Sequence, residues 1–154
     1  MESTAPIVVG CDHAGFDLKE NIKKALKDYA LDIEDCGTHD QASVDYTEFG
    51  ARVAQRVSSG EFNRGILICG TGLGMSMVAN RFPGVRAALC NDLFSAIMCR
   101  RHNDANMLIM GGRVIGADLA REILHAWLET PFDGGRHKER IDNIDARSKA
   151  ALGR

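Results

Sequence analysis

Gly65-Ile66-Leu67-Ile68-Cys69-Gly70-Thr71-Gly72-Leu73-Gly74 is the stretch on which the reading of this chain turns. Three aliphatic residues and a cysteine, followed by glycine at every second place, describe a buried strand running into a tight loop poor in side chains. Met75 to Asn80 contains no breaker and predicts the first turns of a helix. A strand, glycine loop and helix in that order gather backbone N–H groups and the positive end of a helix dipole around one small volume. Such a nest holds an anion, or a negative charge that develops only during a reaction. Cys69 stands at its lip, where the same field favours a thiolate. The working expectation is a nucleophile or base beside an oxyanion hole.

Outward from this junction, apolar runs alternate with amphipathic segments. Ile7 to Cys11, Leu31 to Cys36, Val85 to Cys90 and Asn106 to Met110 read as four further strands. Phe16 to Tyr29, Tyr46 to Val57, Asp92 to about His102 and Ala117 to Leu128 carry apolar residues at helical spacing. Arg136 to Ala151 reads as a charged helix with few apolar positions (Ile141, Ile144, Ala150), fitted to dock on a partner subunit rather than on its own domain. Strands alternating with helices predict an α/β fold: a five-stranded parallel sheet in a Rossmann-like three-layer sandwich, formed by residues 1–154 as one domain. Ligands of such sheets bind beyond the carboxyl ends of the strands. Asp12, His13, the loop Cys69 to Gly74, Asn91, Asp92 and Arg113 are expected there.

Composition narrows the function classes. A net charge of −2 gives no reason to expect non-specific binding to nucleic acid or to an anionic membrane. No apolar run reaches transmembrane length, and Met1 to Pro6 lacks the pattern of a signal peptide, so a cytoplasmic protein is expected. Cys11, Cys36, Cys69, Cys90 and Cys99 are odd in number and never form a C-x-x-C pair, which argues against a disulfide framework or a zinc site. The histidines are dispersed, so no metal site is expected.

The glycine loop is not a dinucleotide fingerprint, because Met75 stands where the last glycine belongs, and no lysine makes it a P-loop. Thr71 either caps the following helix or offers its hydroxyl to a ligand oxygen. His13 either caps its helix or plays a polar role at the ligand edge. His102, ending a helix, is either a dipole-stabilised surface cation or a proton donor working near neutral pH. Arg136 and Arg140 lie four apart on one helical face after Gly134-Gly135, a spacing that suits a phosphate dianion.

Together, Asp12-His13-Ala14-Gly15-Phe16, Cys69-Gly70-Thr71-Gly72, His102-Asn103-Asp104, Gly112-Arg113 and Gly134-Gly135-Arg136-His137-x-x-Arg140 resemble the B-type ribose-5-phosphate isomerases in order and spacing across nearly the whole chain. The resemblance implies interconversion of D-ribose 5-phosphate and D-ribulose 5-phosphate in the non-oxidative pentose phosphate pathway, without metal or organic cofactor. It implies a homodimer or tetramer whose active sites are shared between subunits. By position, Cys69 resembles the base that moves a proton between C1 and C2, and His102 the acid/base that opens the furanose ring. Asp12, His13, Gly70, Gly72, Leu73, Gly74 and Asn103 resemble the sugar-binding set, and Thr71 stands ready to assist. Arg113, Arg136 and Arg140 resemble a phosphate clamp, the last two reaching in from the neighbouring chain. One branch of the family lacks the cysteine and places a glutamate where this chain has Met75; this chain resembles the cysteine branch. Relatives acting on hexose 6-phosphates share the fold, which leaves allose or galactose 6-phosphate as an alternative substrate. A non-catalytic sugar-phosphate or nucleotide sensor and a nicotinamide-dependent oxidoreductase are the more distant readings.

Overall fold

The computed structural model describes residues 6–153; the polar leader lies outside them except for Pro6, as does Arg154. Five strands, all parallel, form one sheet: β1 (Ile7–Cys11), β2 (Ile33–Asp35), β3 (Arg64–Cys69), β4 (Ala87–Leu89) and β5 (Met107–Gly111), in the order β2-β1-β3-β5-β4. The three central strands are near-continuous apolar runs because both faces of the sheet are covered. The edge strands β2 and β4 are three residues long and only half-buried, shorter than the apolar runs from which they were read.

Six helices complete the chain: α1 (Phe16–Leu26), α2 (Tyr46–Ser58), α3 (Leu73–Ala79), α4 (Leu93–Arg101), α5 (Ala117–Glu129) and α6 (Arg136–Ala151). Asp45 and Asp92 start α2 and α4 by accepting N–H bonds from Thr47 at 2.9 Å and Ser95 at 2.7 Å. The first helix stops short of Tyr29. Its last turn tightens into a 3-10 turn over Lys27–Tyr29, and Ala30 ends it in the left-handed region.

Period-two alternation sorts the core into two layers. Val9, Ile66, Ile68, Leu108 and Met110 face α1, α4 and α5, where Ile22, Leu26, Ile123 and Trp127 meet them. Val8, Leu67, Cys69, Met107 and Ile109 face α2 and α3, against Val53, Val57 and Met75. The chain leaves β1 for one face and leaves β3, its neighbour, for the other. The crevice between the carboxyl ends of β1 and β3 is therefore the topological switch point at which such sheets bind ligands.

One buried charge escaped the helical periodicity. Lys19 falls on the apolar stripe of α1 and is fully buried, but its ammonium has three acceptors: Asp35 Oδ1 at 2.9 Å, Asp35 Oδ2 at 2.8 Å and the Thr38 carbonyl at 2.9 Å. It pins α1 to the turn that leaves β2. Burial works to raise the Asp35 carboxyl, and the bonds from Lys19, Lys23 and the Gly37 N–H outweigh it and hold it below the usual carboxylate value. The ion pair therefore contributes fully above the unfolded carboxylate pKa of about 4 and is lost as pH falls through the lowered folded value. Lys19→Met is expected to cost about 3 kcal/mol near neutral pH, the low end for a broken buried pair. Lys23 moderates the loss, since it still reaches Asp35 at 2.7 Å. The difference from wild type, read by urea unfolding, is expected to shrink in acid.

Candidate active site

Beyond Cys11 the chain turns at Asp12, whose backbone N–H donates to the Ile68 carbonyl at 3.2 Å and whose Oδ1 accepts the Gly15 N–H at 3.0 Å. This stitches the end of β1 to β3 and fixes His13 beside the glycine loop. The Val44 N–H donates to His13 Nδ1 at 3.1 Å. A backbone amide can only donate, so in the neutral ring the proton sits on Nε2, which is left to bond a ligand.

At the end of β3 the glycine loop closes on the cysteine. The Gly72 N–H donates to Cys69 Sγ at 3.2 Å, the Gly112 N–H to the Cys69 carbonyl at 2.8 Å, and the Arg113 N–H to the Gly70 carbonyl at 2.9 Å. Gly72 delivers its amide from the left-handed region, with φ of +83°. A Cβ there would lie 2.4 Å from Leu89 Cδ1 and 3.1 Å from the Met110 carbonyl carbon. The nest therefore points one amide inward at the sulfur. A second, from Leu73, is taken at 3.2 Å by Thr71 Oγ1, so Thr71 caps the loop while its own O–H remains a donor. Cys69 is 5% exposed, set in the floor of the crevice rather than on its lip.

Arg113 lies over the loop: a Cβ on Gly70 would meet Arg113 Cδ at 3.5 Å and Ala14 Cβ at the same distance. Tyr46, at the start of α2, packs on Gly74, where a Cβ would come 2.6 Å from its ring. Asn91 ties β5 to the same edge, its Oδ1 accepting the Gly111 N–H at 3.0 Å.

A second group of residues sits elsewhere. His102 closes α4, which starts at the carboxyl end of β4 and runs back towards the amino ends of the strands. Arg86, immediately before β4, donates from Nε to the carbonyls of Asn103 at 3.0 Å and Asp104 at 3.1 Å, fixing this turn at the amino edge of the sheet. The Asp133 N–H donates to the Arg101 carbonyl at 3.0 Å, and the two side chains pair at 3.1 Å, which brings the start of α6 to the same place. There the rings of His102 and His137 stack with centroids 4.3 Å apart and planes within 9°. Burial, His102 and the guanidinium groups of Arg136 and Arg140 push His137 below the ordinary imidazole value, against the pull of Asp133.

The ligand atoms of His102, Asp133 and His137 lie within 4.8 Å of one another, close enough to surround an ion. The stacked imidazoles run parallel instead of converging, and Arg101 occupies the carboxylate, so the cluster fits an anion better than a cation.

The expected residues thus fall into two groups. Asp12, His13, Cys69 to Gly74 and Arg113 share the carboxyl edge, while His102, Asn103, Arg136 and Arg140 share the amino edge. The six residues of β3 separate the edges by about 16 Å. The resemblance placed Asn103 among the sugar-binding residues and expected only Arg136 and Arg140 from a neighbour; in the fold, His102 and Asn103 travel with those two arginines. A cleft of about 1170 Å³ opens not over Cys69 but between α6 and the segment Asn80 to Ala88, bordered by Asn103.

The fold is that of known isomerases. The chain matches the ribose/galactose isomerase family over residues 7–144 and belongs to it. It is 45% identical to ribose-5-phosphate isomerase B of Escherichia coli over 140 residues, 91% of this chain and 94% of that protein. Ribose-5-phosphate isomerase B of Clostridium thermocellum superposes with a TM-score of 0.92 at 49% identity, covering 95% of this chain and 99% of the other. The Mycoplasma genitalium enzyme, solved with bound ribulose 5-phosphate, superposes at 0.89 with 37% identity, covering 94% and 96%.

Sequence reasoning passed over Val44, Tyr46 and Asp133, and quoted His137 within a motif without giving it a role. The first acts through its backbone and Tyr46 reads as one more helical apolar residue. Asp133, and the stacking of His137 on His102, become visible only when α4 and α6 are brought together.

The strain at Gly72 separates from its crowding by comparison with Gly60, which has φ of +82° and no neighbour within 4 Å of an added Cβ. Gly60→Ala is expected to cost about 1 kcal/mol and Gly72→Ala about 2–3 kcal/mol, measured by chemical denaturation.

Proposed function

We propose that this chain is an aldose–ketose isomerase that interconverts D-ribose 5-phosphate and D-ribulose 5-phosphate through a cis-enediolate. It works as a homodimer or tetramer in which the carboxyl edge of one copy meets the amino edge of another. The observation that carries this is the distance between Cys69 and His102 in a single chain: two groups suited to one proton-transfer sequence stand at opposite edges of the sheet. Two further features support a shared site. Exposed apolar side chains rim the carboxyl edge, with Met77 65% and Phe94 73% exposed beside Leu73 and Val114. Among the described residues α6 has none buried, which leaves its packing to a partner.

In this reading Asp12 and His13 of one copy and Asn103 of the other hold the sugar hydroxyls, and His102 of the other copy moves the proton that opens the ring. Cys69 then takes a proton from one of the adjacent carbons and returns it to the other. The Thr71 hydroxyl and the loop amides other than those of Gly72 and Leu73, which are engaged by Cys69 and Thr71, receive the charge that appears on the enediolate oxygen, a donor role typically worth about 3–4 kcal/mol of barrier. Arg113 with Arg136 and Arg140 of the other copy grips the phosphate. Binding energy at that remote dianion holds C1 and C2 over the sulfur, so the arginines serve turnover as well as affinity. No described helix is long and apolar enough to cross a membrane. A phosphorylated sugar as substrate supports a cytoplasmic enzyme, since such sugars are held inside the cell by their charge. The family also includes galactose-type isomerases, so a hexose 6-phosphate is the second substrate to test.

A coupled assay comparing kcat/KM for ribose 5-phosphate and for allose and galactose 6-phosphates tests the substrate, and ligand binding without turnover would return the chain to the sensor reading. Cys69→Ala and His102→Ala are each expected to lose at least about 10²-fold in rate. Mixed, unfolded and refolded together, they are expected to recover about a quarter of wild-type activity, because half of randomly paired dimers hold one site with both groups intact. No recovery would disprove the shared site, and a Cys69→Ala enzyme of near-normal rate would disprove the base.

Arg136→Ala and Arg140→Ala, made separately, are each expected to raise KM about tenfold, the scale of one charge-assisted hydrogen bond. Inorganic phosphate should inhibit both variants less than it inhibits wild type.

A further inference from the structure

Two thiols that the isomerase reading leaves unused lie against each other. Cys90 follows β4 and is 0% exposed, while Cys99 on α4 is 7% exposed. Their sulfurs are 3.8 Å apart, with the Cys90 S–H directed at Cys99 Sγ and the Cys99 S–H directed at the Ala96 carbonyl at 3.3 Å. Cys99 also borders the cleft between α6 and Asn80 to Ala88, which gives a small neutral oxidant a route to one member of the pair.

The two sulfurs differ. The hydrogen bond from Cys90, helped by the Arg100 guanidinium and opposed by burial, draws Cys99 below the ordinary thiol value. Donating that bond, and burial, push Cys90 up. Cys99 is thus the sulfur set to ionise first, with a protonated thiol held against it.

We propose that Cys90 and Cys99 form a reversible intramolecular disulfide on exposure to a hydroperoxide. The Cys99 thiolate attacks the peroxide, its S–O bond forming as the O–O bond breaks, to give a sulfenic acid and, with hydrogen peroxide, hydroxide that takes up a proton as water. The Cys90 sulfur then displaces the sulfenic oxygen as a second water. Overall two thiols are oxidised and one peroxide is reduced to two waters. Closing a 3.8 Å contact to a bond of about 2.05 Å draws α4 against the end of β4. His102 and Asn103 ride on the end of that helix, so on the isomerase reading the closed pair lowers turnover.

The test is hydrogen peroxide treatment of the wild-type protein, followed by denaturation, alkylation and peptide mapping by mass spectrometry. The expected result is a peptide joined through Cys90 and Cys99, a fall from five titratable thiols to three, and full reversal by dithiothreitol. Cys90→Ala and Cys99→Ala are each expected to abolish the cross-linked peptide. At doses that leave Cys69 alkylatable, wild-type turnover is expected to fall and to recover with dithiothreitol, and Cys90→Ala turnover is expected to hold. A wild-type protein in which Cys90 and Cys99 stay reduced while Cys36 or Cys69 oxidises overturns the proposal. A cross-link that leaves turnover unchanged overturns its coupling to α4. Because the bond is scored by mass, its absence is distinguishable from any failure of the isomerase reading.

Discussion

Parallel pairing is the constraint on which the rest depends. Every strand of this sheet points the same way, so each following helix must carry the chain back across the thickness of the sheet. A residue at the end of a strand and a residue at the end of any returning helix therefore stand at opposite edges of the sheet, about 16 Å apart along the strands. Cys69 occupies the first kind of position and His102 the second. The fold builds two half-sites with accuracy and cannot bring them together by itself. On the proposed reading, bringing two copies together does what no loop in one copy is long enough to do.

Each half-site is built differently. At the carboxyl edge precision comes from backbone: Gly72 aims an amide at the sulfur, Val44 fixes a ring of His13, and Asp12 joins two strands. These contacts use few side-chain rotamers and lose little entropy when a sugar arrives. At the amino edge charge dominates. Arg136 and Arg140 crowd positive potential around the start of α6, and together with burial and His102 they lower the His137 imidazole against the pull of Asp133, a carboxylate already shared with Arg101. On the proposed reading, the substrate's phosphate dianion balances that charge.

The fold was legible because its signals are strong and local. Continuous apolar runs in β1, β3 and β5, the aspartate before α4, and paired glycines before α6 place the elements to within a few residues. What stayed hidden is what the third dimension creates. Nothing in the sequence marks Lys19 as buried; that follows only once Asp35 arrives from β2 to meet it. His102 reads as an isolated helix end until His137 stacks on it from thirty-five residues further along the chain. Cys90 and Cys99 read as two inert thiols until a helix turns one sulfur towards the other. The division of the candidate site between two edges follows from topology alone, and the resemblance gave half of it by assigning Arg136 and Arg140 to a neighbour.

The last helix carries a consequence for the life of the chain. With no buried residue among those described, α6 is tied to its own copy at its start, by the His102–His137 stack and the Asp133–Arg101 pair, and beyond that is held mainly by local pairs such as Lys138 with Asp142. A segment so weakly anchored opens at almost no cost, and proteases cut a segment in proportion to the time it spends open. An orphaned copy would present a degradable tail that a paired copy conceals. Turnover in the cell would then remove surplus unassembled subunits and spare the complexes, with no dedicated signal written into the sequence.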